Sequence, residues 1–191
     1  MDVIAGSLGF YAPIARNQAK GEISFDAIEA LRQQMCPEAS RQAALIGLVD
    51  AWLTPALLVT AMPALKSDEQ LYRSSQQRFV FYEPPAEKLR AVRVKANQAA
   101  REARLAIFEN MRVPEKSVIS QVYSGTVVCA EQMKDLGWWE SDRKSLPSCP
   151  VRVMARRGVD SVDAIIAAIQ SATSPTRTRR RLKPVPPPQV G

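Results

Sequence analysis

Few side chains in this sequence could move protons, hold metals or attack carbon, and those few are poorly placed to do so. The chain contains no histidine. That removes the commonest general acid–base and metal ligand near neutral pH, and with it every Ser-His, Cys-His and His-metal constellation. The three cysteines, Cys36, Cys129 and Cys149, are far apart, odd in number and form no C-x-x-C pair. They read as free thiols of a reducing compartment rather than a disulfide framework or a metal site. Gly6-Ser7-Leu8-Gly9 lacks the flanking strand and the lysine of a phosphate loop. No two acidic residues have a spacing that suggests paired carboxylates. The expectation is a non-enzymatic protein with no catalytic residues, no metal and no cofactor.

Cations remain as the chemistry on offer. The net charge is +7, and five of those charges lie in the last eighteen residues, SPTRTRRRLKPVPPPQVG, which carry no acid. Arg177, Arg179, Arg180, Arg181 and Lys183 make a compact cluster suited to nucleic acid. Pro184 and Pro187, three apart after Arg181, have the spacing of a polyproline II docking strip. A second cationic group lies between residues 86 and 111. Wound as a helix at about 100° per residue, Arg90, Arg93, Asn97, Arg101 and Arg104 share one stripe. Leu89, Val92, Ala96, Ala99, Ala103 and Ile107 share another. Four arginines over about 21 Å of axis could follow a phosphate backbone, or pair with acids of a neighbouring subunit. Trp138 and Trp139 are adjacent, and an extended chain cannot point both into one core. One of them is then available to a partner pocket or a base.

The elements that would position these residues read mainly as helices. Ser24 caps a helix over Phe25 to Met35. A second starts near Pro37 or Ser40 and runs to about Trp52. Thr54-Pro55 restarts a third, which ends near Met62-Pro63. Further helices are expected from Ser67 to about Arg78, from Pro85 to Met111, from Thr126 to Leu136 with Gly137 as C-terminal cap, and from Asp160 to Ala172. The longest, Pro85 to Met111, has no internal Gly or Pro and is rich in helix formers. Residues 115–124 fit helix or strand. Short strands are allowed near 79–82 and 151–154.

The fold expected from this pattern is mainly α: an irregular helical bundle of about six short to medium helices over residues 1–173, with a minor β element allowed. A disordered, basic, proline-rich C-terminal arm follows at 174–191. Residues 43–65 are 23 in number with the single charge of Asp50, long enough to span a bilayer. Asp50 and the break at Thr54-Pro55 argue instead for buried helices.

The functional expectation is a structural or assembly protein of a virion shell or other nucleoprotein complex. It would be cytoplasmic or virion-borne, a homo-oligomer or a subunit of a larger assembly, with its arm on nucleic acid or a neighbouring chain. A DNA- or RNA-binding regulator and a membrane-associated protein anchored through 43–65 are the alternatives.

Overall fold

The computed structural model describes residues 12–19, 21–66, 68–71, 85–139 and 146–169. Three helices open the described chain: α1 (Ala12–Gln18), α2 (Phe25–Met35) and α3 (Arg41–Leu48), with a 3-10 turn at Val49–Ala51. Then come β1 (Ala56–Ala64), β2 (Lys88–Ala96), α4 (Gln98–Glu102), α5 (Val118–Tyr123), β3 (Cys129–Asp135), a 3-10 turn (Leu136–Trp138), β4 (Pro150–Arg157) and β5 (Val162–Ala168). The five strands form one sheet in the order β2-β1-β5-β4-β3, and every pairing is antiparallel.

The sheet overturns the expected mainly α, helical bundle. Helix α2 is where its cap predicts: the Ser24 hydroxyl accepts from the Ala27 amide, and the helix runs Phe25–Met35. Ser40 caps α3 in the same way, through Ala43. The helix restarted at Thr54-Pro55 is instead β1, the one expected over Thr126 to Leu136 is β3, and the one expected from Asp160 is β5. β1 and β5 are central strands with apolar groups on both faces, so their sequences show no alternation of apolar and polar residues. A continuous apolar run of this kind cannot be told from a buried helix by periodicity. Ile165 and Ile166, adjacent in sequence, enter opposite cores.

The expected helix over Pro85 to Met111 is replaced by β2, α4 and an irregular return. A bulge in β2 gives its cations their helix-like spacing. β1 pairs Thr60 with Arg93 but Ala61 with Ala91, so Val92 is an extra residue in the ladder. Strand alternation puts Lys88 and Arg90 on one face, and the bulge postpones the next cation from 92 to 93. A period of two thereby acquires an i, i+3 step that imitates a helix.

Both faces of the sheet are covered. On one face, α1, α2 and α3 pack Ile28, Leu31, Leu45 and Leu48 against Ala56, Leu58, Met154 and Ile165. On the other, the excursion 97–127 lays Leu105, Ile107, Met111, Ile119 and Val122 over Leu57, Val59, Val153 and Ile166. Within the helical layer, the Arg32 guanidinium is buried and donates to the carbonyls of Pro37 and Ala39 and to Glu29. That side chain and Gln33 hold the Glu29 carboxyl down at about 2.

Residues 43–65 contain the end of α3, the 3-10 turn and β1. Among the described residues, no helix is long and apolar enough to cross a membrane. Asp50 is paired with Lys95 at 3.3 Å and Arg101 at 3.7 Å, and it accepts the Gln98 amide at 3.0 Å. The 79–82 element, most of the helix expected from Ser67 to Arg78, and the arm 174–191 lie outside the described residues.

Candidate functional site

The five residues of the expected stripe have five different environments. Arg90 is 2% exposed and serves the interior. Its guanidinium donates to the carbonyls of Ala64 and Asn110 and sits 3.6 Å from Glu69. Asn97 is fully buried. Its Oδ1 accepts the amides of Ala56 and Ala100, capping α4, and its Nδ2 donates to the carbonyls of Trp52 and Thr54. Neither residue can meet a partner. Arg93 lies on the helical face of β2, near the buried carboxyl of Asp163. Only Arg101 and Arg104 are brought together.

Their meeting place is a cleft of about 440 Å³ at the β2 margin of the sheet. One wall is Val94 and Ala96 of β2 with Leu57 behind them, and the other is residues 104–109. The cleft exists because the chain leaves β2 through α4 and returns along the same edge only further down. There the Asn110 amide donates to Ala91, the Ala91 amide to Met111 and the Val113 amide to Leu89. The stretch 92–96 is left without a returning strand. The register turns the backbone of Asn97 inward, its amide donating to Ala56, so that of Val94 and Ala96 turns outward. Arg101 occupies the Ala96 carbonyl. Val94 has no outward partner among the described residues.

Arg104 has an unusual place in the backbone. The Leu105 amide donates to Ala100 and the Arg104 amide to Arg101, the two bonds of a Schellman ending for α4. That motif needs a left-handed residue, and here it is Arg104, with φ 57°. α5 ends with the same pair of bonds, Thr126 to Gln121 and Gly125 to Val122, and uses Gly125 with φ 81°. An L-residue in this region is disfavoured by about 1–2 kcal/mol. One chain therefore terminates two helices alike, once with glycine and once with an exposed arginine that has no ion-pair partner among the described residues.

Electrostatically the cleft is suited to a single anion. Arg101 is 58% exposed but shares Asp50 with Lys95. Arg104 contributes a charge with no ion-pair partner among the described residues, and Glu109 is the acid on the lining. Among the described residues, no group of three or more His, Cys, Asp or Glu could hold a metal ion.

The tryptophans lie on the opposite margin of the sheet, at the end of β3, four strand spacings or about 19 Å from β2. Trp139 is buried in the core, and Trp138 is 52% exposed with the Lys134 ammonium 4.0 Å from its ring centre. Asp135 sets this turn. It accepts the Ser148 hydroxyl and the Gly137 amide, which hold its carboxyl below the ordinary value. Trp138 and the arginine cleft do not form one site. Arg177, Arg179, Arg180, Arg181, Lys183, Pro184 and Pro187 are outside the described residues.

In comparison with known proteins, no family model matches the chain, and no curated protein matches it significantly. The sequence pattern did contain Arg101 and Arg104. It missed the outward backbone of Val94, which depends on a register that only the folded sheet sets.

Proposed function

We propose that this protein is a non-enzymatic component of a nucleoprotein assembly, in a virion shell or a comparable complex. It holds single-stranded nucleic acid at the β2 margin and with its basic arm. The observation that carries the reading is the cleft in which Arg101 and Arg104, the latter without an ion-pair partner among the described residues, face the outward edge of β2. Phosphate contact through arginine supplies affinity without demanding sequence readout. The five cations of residues 177–183 add a second, independent contact.

The same sheet supports the assembly half of the reading. Among the described residues β3, at the far edge, pairs only with β4, and it exposes Cys129, Glu131 and Met133. A sheet edge of this kind is a surface on which another subunit can pack.

The test is binding of a fluorescent single-stranded oligonucleotide to the full chain as a function of salt. Six phosphate contacts, one in the cleft and five in the arm, give a slope of log K against log salt of about −4. Absence of salt-dependent binding at low ionic strength contradicts the proposal. So does strict preference for one sequence, which belongs to a regulator.

A further inference from the structure

We infer that the cleft between β2 and residues 104–109 seats one nucleotide of a single strand. The phosphate lies on Arg104 with Arg101 beside it, and the base lies on the apolar wall against the outward backbone of Val94. The inference rests on the reading of the protein as a nucleic-acid binder and gives it a place and a stoichiometry.

Three independent features converge there. The first is the arginine in a glycine position. The Schellman ending of α4 is served best by glycine, as Gly125 serves α5. Arg104 contributes nothing to that motif that glycine would not, and its side chain has no ion-pair partner among the described residues. A backbone cost accepted for a cation at the mouth of a cleft has the character of a binding residue.

The second is the shape and chemistry of the walls. The volume of about 440 Å³ is in the range of small-ligand pockets, and Val94, Leu105 and Ile107 make the lining apolar enough for the face of a base. The third is the strand edge itself. Val94 presents an amide and a carbonyl outward, a donor and an acceptor side by side. Every base carries donors and acceptors on its edge, so the same backbone pair can accept more than one base without selecting strictly. Glu109 on the lining and Asp50 beside Arg101 leave enough positive charge for one phosphate and too little for a chain of them. A monophosphate unit is therefore the expected occupant.

The test compares wild type with Arg104→Gly and Arg104→Lys, all as full chains. Binding of adenosine and cytidine 5′-monophosphates, the corresponding nucleosides and inorganic phosphate is followed by NMR titration, and stability by thermal melting. The expected result is that monophosphates bind wild type at least tenfold more tightly than nucleoside or phosphate alone. Arg104→Gly should lose at least tenfold of that affinity while its Tm stays level or rises by about 2–4 °C. Arg104→Lys should keep part of the affinity.

Equal binding of wild type and Arg104→Gly overturns the inference. So does phosphate binding as tightly as a monophosphate, which would mark a plain ion site. The oligonucleotide assay separates the two levels. Salt-dependent oligonucleotide binding that ignores Arg104 removes the cleft and leaves the protein a nucleic-acid binder through its arm. No oligonucleotide binding at all removes both.

Discussion

Replacing Asn97 by alanine distinguishes the sheet from the helical stripe by sign. On an exposed helix face, alanine is the better helix former and Asn→Ala would stabilise by about 0.5 kcal/mol. In the structure the Asn97 side chain is fully buried, and its carbonyl oxygen holds the Ala56 amide at 3.0 Å and the Ala100 amide at 2.8 Å. Its amide nitrogen reaches the Thr54 carbonyl at 2.8 Å and the Trp52 carbonyl at 3.2 Å. Loss of the cap costs about 1 kcal/mol, and the orphaned Ala56 amide in the core costs about 1–3 kcal/mol more. With the two stranded carbonyls the total is about 3–5 kcal/mol, a large share of the roughly 5–15 kcal/mol that holds a protein folded. Urea denaturation followed by far-UV circular dichroism should show this loss, and Tm should fall by about 10 °C. Asn97→Asp should do no better at pH 7. It keeps both acceptor bonds but turns a charged oxygen toward the Thr54 and Trp52 carbonyls. A loss below about 1 kcal/mol for Asn97→Ala would refute the reasoning and return the residue to the surface.

Four further outcomes are expected. Burial pushes the Asp163 carboxyl up, against the Thr60 hydroxyl at 3.0 Å and the charges of Arg156 and Arg93. A raised folded value means that its contribution to stability is full below the unfolded value and is lost as pH rises through the folded one. Asp163→Asn should flatten that part of the stability–pH curve and hold stability at pH 7, whereas a steeper curve would contradict the burial argument. Glu29 has the opposite sign. Its contribution is present above the unfolded value near 4.3 and is lost as pH falls toward about 2, so Glu29→Gln should remove acid sensitivity there at a neutral-pH cost under about 1 kcal/mol. Gly125→Ala should destabilise by about 1 kcal/mol or more. It places a side chain at φ 81° and 3.3 Å from the Arg157 guanidinium that closes α5, and urea melts would measure this. Among the three thiols, Cys129 is exposed, while Cys149 is half-buried with its thiol pushed up by burial. A maleimide should therefore label Cys129 first by mass spectrometry, and prior labelling of Cys149 would contradict the burial.

Local signals in the sequence were legible where the backbone obeys a side chain. Ser24 and Ser40 each cap a helix through their own side-chain oxygen, and α2 begins and ends where its cap and Cys36-Pro37 require. The sheet was not legible, because its central strands are buried on both faces and so carry no alternation. β2, which does alternate, hides it behind the Val92 bulge. The same bulge explains the fate of the arginine stripe. Arg90 and Arg93 are on a strand, Asn97 caps the next element, and Arg101 and Arg104 follow on a short helix and its ending. Composition could identify the cations but not their accessibility. That is set by tertiary contacts made far away in sequence, such as Arg90 with Glu69 and Arg101 with Asp50. The αL ending at Arg104 has no sequence signature, since the residue that usually announces it is glycine.

The most direct measurement is the salt slope of single-stranded oligonucleotide binding for the full chain, for the Arg101→Ala/Arg104→Ala double variant and for a chain lacking residues 174–191. The account predicts that the double variant lowers the slope by about 0.7 and the truncation by about 3.5, with each retaining part of the binding. A slope in the double variant equal to that of wild type would contradict the claim that the β2 margin holds nucleic acid.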